Sequence, residues 1–459
     1  MRYGSTIIDY FIPKALNQVK ILKPSPFTRD FVDLDVKFHE ILEKPVGMDV
    51  SFHKLLSQVY EVGKRITVIV DDQTRSNVHT KILLPMLLRE LASYEVKTDD
   101  VRILIATGTH RAPTEEEVER GILGPQVYAQ WRNHVFIHES DEDCGFLGET
   151  AQNTPVYIDN RIIHSCLVIP LTDSEYHYFA GQAGTIKSLC PGVAGGETVR
   201  RNHPKMFDFD RGFKPDCRLG NTLNNPVIQE IKEIAEMVKN ETPIFGIDSI
   251  VLNREIVYLN AGDIVALHDA ACSPLRETSV VEVDKPADLV FVSPGELGLN
   301  LYQAGKGVHA GWNAVRKDGR GRIVILAPCR DGVGNKSFYQ AMHECRDKSL
   351  RDGLRYVIDK YCTEEAFQIG NQKPVDLLRI LITLGEGNLK IYSEMDPKEL
   401  KEVFRMDAIP RLRGETPQET LRRTVQEYLK MNPTPIIYIL QDAGILVKAP
   451  ESPKDSHTP

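Results

Sequence analysis

The residues from His177 to Met206 carry the densest set of reactive groups in the chain. One lysine, Lys187, lies among five glycines (Gly181, Gly184, Gly192, Gly195 and Gly196), with His177 before it and His203 after it. Glycine lets a backbone turn through positive φ and come close to a ligand. Successive N–H groups in such a loop can nest an anion. An amine there can neutralise that anion or bond covalently to a cofactor. The competing reading is a plain glycine-rich connection between two elements.

Three shorter clusters add to it. In Asp71-Asp72-Gln73-Thr74-Arg75 the acids suit a ribose hydroxyl or a metal, and the arginine is a fork for carboxylate or phosphate. A capped helix start with a local ion pair would leave the same residues. In Thr107-Gly108-Thr109-His110-Arg111 the histidine is placed for proton transfer, although a lone histidine is more often a satisfied hydrogen-bonding residue. In Leu301-Tyr302-Gln303-Ala304-Gly305-Lys306, helical spacing brings Tyr302, Gln303 and Lys306 near one face, which would otherwise be polar helix surface.

The elements that must position these groups read as α/β. The β-branched run Arg65–Asp72 and the run Val101–Ala106 predict buried strands whose carboxyl ends lead into polar loops. Lys81–Tyr94 has leucines at helical spacing, which makes a βαβ unit. Ligands in open α/β sheets bind beyond the carboxyl ends of strands, so Asp72, Arg75 and His110 should share one crevice. Further on, Val227–Lys239 predicts a helix, and Leu252–Ala266 is strand-rich with a turn near Asn260–Asp263. Ser279–Pro286 reads as a hinge before a second alternation: strands Leu289–Ser293 and Ile323–Ala327 around a helix Leu301–Val315. Helices follow at Phe338–Arg346 and Leu350–Tyr361, then an apolar run Leu377–Leu384, a strand Leu389–Tyr392 and a helix Pro397–Phe404. A helix Pro417–Lys430 and a strand Pro435–Leu440 come last. The expected fold is two α/β domains with a cleft between them, mixed sheets flanked by helices. Residues 1–280 form the first, completed or not by 412–448; residues 285–411 form the second; 449–459 form a mobile tail.

Composition sets the outer bounds. A chain of 459 residues fits two or three domains at roughly 100–200 residues each. Its 42% apolar and 26% charged content is ordinary for a soluble globular protein. A net charge of −8 gives no electrostatic case for nucleic acid or an anionic membrane. No apolar run reaches membrane-helix length, and the start lacks a signal-peptide pattern. Eight scattered cysteines without a C-x-x-C pair argue against structural zinc or a disulfide framework and for a reduced, cytoplasmic protein.

Together the four clusters resemble the lactate racemase family, in the family's order and across most of the chain. The carrying residues are Asp71-Asp72-Gln73-Thr74-Arg75, Gly108-Thr109-His110-Arg111, the stretch from His177 to His203, and Tyr302-Gln303-Ala304-Gly305-Lys306. Each piece alone is weak; the joint match is specific. The resemblance implies a nickel-pincer nucleotide tethered to Lys187, with His203 as the fourth nickel ligand; sulfur donors plus imidazole suit Ni(II). It implies that Asp72, Gln73, Thr74 and Arg75 hold the nucleotide, that Gln303 and Lys306 close the pocket from the second domain, and that Lys306 or Arg75, the latter also near the substrate carboxylate, anchors that carboxylate and stabilises the developing charge.

The implied reaction inverts C2 of a 2-hydroxy acid by hydride transfer through a 2-oxo acid, because that C–H is too weakly acidic for easy proton removal. Two bases are then needed, one per enantiomer, and His110 and His177 fit that need. The implied partners are the small hydroxy acid and the enzymes that mature the cofactor, with a homo-oligomer left open. Departures from the family pattern are Ser76-Asn77-Val78-His79 where prolines are common, Pro294-Gly295-Glu296-Leu297-Gly298 before the Tyr-Gln pair, and Cys329 where an acid is frequent. They bear on which hydroxy acid is used. Two other readings remain: a hydrolase or transferase using Cys190 with His203, which needs a low-pKa thiol, and a non-catalytic nucleotide-binding homologue.

Overall fold

The computed structural model describes residues 1–448 except Ser5, Tyr10, Lys14, Ala15, Asn17, 24–26, 28, 30 and 442, and leaves aside the side chain of Glu296. The expected tail, 449–459, lies outside the described residues. The chain forms two compact units: 26–206 with 215–278, and 1–25 with 207–214 and the residues from 279 onward.

The first unit is built on a six-stranded sheet. Its strands are β1 (Ile66–Asp71), β2 (Val101–Ala106), β3 (Val135–Ile137), β4 (Leu167–Asp173), β5 (Gly246–Leu252) and β6 (Glu255–Gly262), in the order β6-β5-β4-β1-β2-β3. All neighbours are parallel except the β5–β6 hairpin. Ile66, Val68, Ile69 and Val70 are all fully buried, so both faces of β1 are covered, as a run without polar alternation requires. Helix α1 (Val78–Ser93) links β1 to β2 and buries Leu83, Leu84, Leu87 and Leu91 in the same core.

The chain runs outward from β1 through β2 to β3, then returns to the other side of β1 with β4. The strand order therefore reverses between β1 and β4, and loops leaving their carboxyl ends diverge to leave a crevice. The loop after β1 begins at Asp72, and the loop after β4 leads to His177 and Lys187. Lys187 lies on the short helix α2 (Thr185–Leu189), His203 directly follows α3 (Gly196–Asn202), and α4 (Pro226–Glu241) comes next.

The hairpin turn differs from the expected one. Asn253 and Arg254, with φ of 51° and 68°, make the turn, and Asn260–Gly262 continue β6. Two consecutive left-handed residues match the twist of a two-residue hairpin, a geometry that asparagine tolerates. Asp263 instead caps helix α5 (Ile264–Ala270) by accepting from the Val265 and Ala266 N–H groups at 3.0 and 2.9 Å.

The second unit has a parallel sheet of β7 (Leu289–Val292), β8 (Arg322–Leu326), β9 (Leu389–Tyr392), β10 (Asp407–Ala408), β11 (Ile437–Leu440) and the N-terminal strand Val19–Leu22. The order is β10-β9-β8-β7-β11 and then Val19–Leu22. Residues 1–25, read with the first domain, and the segment 412–448, left open, both lie here, because β11 supplies the ladder between β7 and Val19–Leu22. The expected hinge contains a strand, Val280–Glu282, paired with Leu446–Lys448. This sheet also reverses order, between β7 and β11. Helix α6 (Leu301–Ala314), which carries Tyr302, Gln303 and Lys306, begins just beyond the carboxyl end of β7.

Gly262 ties β6 to the residues that position α5. Its φ is +140°, and a Cβ there would meet the Val46 carbonyl oxygen at 2.1 Å. Gly262→Ala is expected to destabilise the protein by about 3 kcal/mol through a strained backbone and a displaced contact, read as a lower urea midpoint with an unchanged slope.

Candidate active site

The loop after β1 is organised by one carboxylate. Asp72 Oδ1 accepts from the Thr74 N–H at 3.0 Å and the Thr74 hydroxyl at 2.5 Å, closing the turn. Its Oδ2 faces His110 Nδ1 at 2.8 Å. Burial pushes this carboxyl up, but hydrogen bonds from His110 and Thr74 and the nearby charges of His110 and Arg75 outweigh it and hold Asp72 below its usual range. Ionised Asp72 fixes the His110 tautomer: Nδ1–H donates to the acid, and the lone pair sits on Nε2. Two of the sequence clusters thus meet in one dyad, with the acid buried and the imidazole 41% exposed.

The loop's exit is held by Asn77, at φ 52°, whose Nδ2 donates to the carbonyls of Asp72 at 2.7 Å and Arg75 at 3.2 Å. Asparagine tolerates this left-handed position, and that is its role in the stretch where family members carry prolines. Gln73 donates to the Arg111 carbonyl at 3.0 Å, leaving its Oε1 buried without a hydrogen-bond partner. Arg75 is ion-paired with Glu175.

The long loop after β4 forms a small hairpin in which Tyr176–His177 pairs with Gly181–Gln182. The Ala180 N–H reaches His177 Nδ1 at 3.3 Å. Next comes α2, all five residues of which are buried. The Thr185 hydroxyl bonds the Ile264 carbonyl at 2.7 Å, fastening α2 to α5. The Gly108 N–H bonds the Gly192 carbonyl at 2.9 Å, joining the histidine loop to the lysine loop.

The glycines serve chain packing. A Cβ at Gly181 would meet the Asn221 carbonyl oxygen at 2.2 Å, at Gly184 the Ser174 hydroxyl at 2.3 Å, and at Gly192 the Ser188 carbonyl oxygen at 2.2 Å. These close approaches by themselves require glycine at the three positions, whatever their N–H groups bind. Under Gly184, Ser174 and Thr172 donate to Asp248 at 2.7 and 2.9 Å. Burial pushes the Asp248 carboxyl up to about 7 against those bonds.

Lys187 is the electrostatic centre of the unit. Burial, with the positive charge of Arg75 nearby, lowers its amine to about 7. Among the described residues it has no carboxylate partner. His203 is 1% exposed; burial, then the charges of Lys187 and His110, press it well below the usual histidine value, so the ring is neutral. The Phe179 ring lies 4.4 Å from that of His177, 5.4 Å from that of His203 and 5.6 Å from Lys187 Nζ. Phe179 and Asn202 stand in the stretch from His177 to His203 that carries the resemblance, without a role of their own there, and Glu175 and Glu230 left no signal in the sequence.

Burial pushes the Cys190 thiol up to about 12, the reverse of what a nucleophilic thiolate needs. Gln303 and Lys306 both lie on α6 of the second unit and are half-buried; the Gln303 N–H is capped by Asn300 Oδ1 at 2.9 Å.

A profile of the lactate racemase N-terminal domain matches residues 3–212, and one of the lactate racemase C-terminal domain matches 283–372. The chain is 32% identical over 349 residues to the lactate racemase of Thermoanaerobacterium thermosaccharolyticum, covering 75% of this chain and 78% of that one. It is 31% identical over 313 residues to the lactate racemase of Lactiplantibacillus plantarum, covering 67% and 69%. The solved lactate racemase apoprotein of T. thermosaccharolyticum matches with a TM-score of 0.77 at 25% identity, over 97% of this chain and 98% of that one. A Thermotoga maritima protein shares the fold alone, with a TM-score of 0.62 at 17% identity over 86% and 96%. With both domain profiles and two relatives above 30% identity in agreement, this chain belongs to the lactate racemase family and is an isomerase of the racemase kind.

Proposed function

We propose that the protein inverts C2 of a 2-hydroxy acid, lactate or a larger relative, with a nickel-pincer nucleotide attached to Lys187. The observation that carries this reading is a buried amine with no carboxylate beside it among the described residues, which burial lowers to about 7. A neutral amine is nucleophilic, and burying one without a counter-charge makes little sense for structure alone. The donor set fits the group as well. Lys187 offers the tether, and His203, neutral and buried, offers an imidazole for a soft-donor nickel centre. The orphaned Gln73 Oε1 and the buried, unpartnered Thr109 hydroxyl offer polar contacts in the adjoining loops.

When bound, such a group supplies an electron-poor centre that accepts a hydride from C2 and returns it to either face of the resulting 2-oxo acid. The chain's own residues do the rest. His110 Nε2 takes the hydroxyl proton, and Asp72 stabilises the imidazolium through Nδ1–H. His177, whose Nδ1 accepts from Ala180, presents the proton on Nε2, so it serves as the opposite member of the pair; for the other enantiomer the roles exchange. Arg75 binds the substrate carboxylate while sharing its five donors with Glu175. Asp72, Gln73 and Thr74 are assigned to the nucleotide.

Separate maturation enzymes would supply the nucleotide. The eight free cysteines fit a reducing compartment, which we take to be the cytoplasm. Among the described residues no helix is long and apolar enough to cross a membrane.

Linkage gives a test without cofactor. The Lys187 amine has a folded value of about 7 against 10.5 for an ordinary lysine. Between those values the unfolded chain binds more protons, so unfolding free energy rises with pH from about 7 to about 10. Lys187→Met is expected to remove that rise, seen as the wild-type minus variant difference in urea unfolding across the range; a flat difference contradicts it. With matured protein, His110→Asn and His177→Asn are each expected to keep the Lys187 adduct and nickel while losing about 10²–10⁴-fold in racemisation. Peptide mass spectrometry and chiral chromatography on one sample read both quantities. Wild-type turnover by both variants refutes the pair.

A further inference from the structure

The side chains behind His203 form a line that the proposed chemistry has not used. Glu230, on α4, is fully buried and ion-paired with Lys205. Its Oε1 also accepts from the Thr150 hydroxyl at 2.7 Å, and its Oε2 accepts from Asn202 Nδ2 at 2.9 Å. The same Asn202 nitrogen donates to the Val227 carbonyl at 3.2 Å. Carboxylate and carbonyl oxygens only accept, so these two bonds fix which end of the amide points where. The other end, Asn202 Oδ1, faces His203 Nδ1 at 3.1 Å. An amide oxygen also only accepts, so Nδ1 must carry the hydrogen. A neutral ring with Nδ1–H has its lone pair on Nε2.

We propose that Glu230 is a positioning residue: through Asn202 it holds His203 as the Nδ1–H tautomer, so that Nε2 is presented as a metal ligand. The proposal rests on the reading of His203 as the nickel ligand. Lys205 and Thr150 satisfy Oε1 and offset the burial of the carboxylate; the proposal gives a role to the other oxygen, Oε2, which is aimed at a neutral amide. Partners one bond removed from a ligating histidine commonly set its tautomer and tune metal affinity.

Glu230→Gln keeps the shape but reverses the logic. The new amide can donate to Asn202 Oδ1, and a turned Asn202 would then offer N–H to His203 Nδ1 and drive the proton to Nε2. The test has two arms. Ring-nitrogen NMR of histidine-labelled, unloaded protein, with His203→Gln identifying the signal, reads the tautomer; matured protein is assayed for nickel per Lys187-attached nucleotide. Wild type is expected as Nδ1–H, Glu230→Gln with a substantial Nε2–H population, and nickel occupancy lowered by about 10–100-fold in affinity. Thr150→Val, which leaves the Asn202 contact in place, is expected to change neither. Asn202→Leu, lacking the acceptor altogether, is read the same way as Glu230→Gln and replaces it if that variant does not fold. An unchanged tautomer overturns the proposal even if nickel is lost, since that loss would then be structural. An altered tautomer with full nickel overturns the link to the metal. Wild-type protein that matures without nickel fails the reading of His203 instead, and the tautomer arm still decides what Glu230 does.

Discussion

A buried amine with no acid beside it among the described residues is the constraint on which this structure depends. Withdrawing a charged lysine from water is costly, and the protein meets that cost by letting the proton go: burial brings Lys187 to about 7. The surroundings are consistent with that choice. Phe179 lies against the amine in place of a carboxylate, Arg75 adds positive charge nearby, and His203 is itself kept neutral by burial. The acids in the neighbourhood are committed elsewhere, Asp72 to His110 and Glu175 to Arg75. A single acid beside Lys187 would restore the ammonium and remove its nucleophilicity.

Topology explains why these residues meet. Asp72 and Arg75 leave β1, His110 leaves β2 and Lys187 follows β4, all at carboxyl ends and all around the point where strand order reverses. The shared crevice of Asp72, Arg75 and His110 was legible from two hydrophobic runs ending in polar residues, whereas the strand Leu167–Asp173 that leads to Lys187 was not read from the sequence. The same reasoning placed helices such as Leu350–Tyr361 and strands such as Leu389–Tyr392 at their observed limits.

What escaped the sequence did so for physical reasons. The turn at Asn253-Arg254 is marked by backbone dihedrals and carries no glycine, whereas Asn260-Ala261-Gly262-Asp263 has turn-like composition but is held extended by β5 and Val46. The N-terminal strand Val19–Leu22 joins a sheet whose other members begin at Leu289, a long-range pairing that no local pattern encodes. Glu230 reads as a solvent-facing position of an amphipathic helix until Lys205 and Asn202 are seen against it. Gly181, Gly184 and Gly192 stand out in the sequence, but the close approach of the chain to Asn221, Ser174 and Ser188 that requires glycine there is a long-range contact visible only in the fold.

The most direct measurement is the ionisation of Lys187 itself in protein made without the maturation enzymes. Competitive acylation with trace anhydride across pH 6 to pH 11, followed by peptide mass spectrometry, reports how the reactivity of each lysine titrates. The account predicts that Lys187 titrates with a midpoint near 7, well separated from the surface lysines. A midpoint near 10, in step with those lysines, would mean that the site holds an ordinary ammonium and would contradict it.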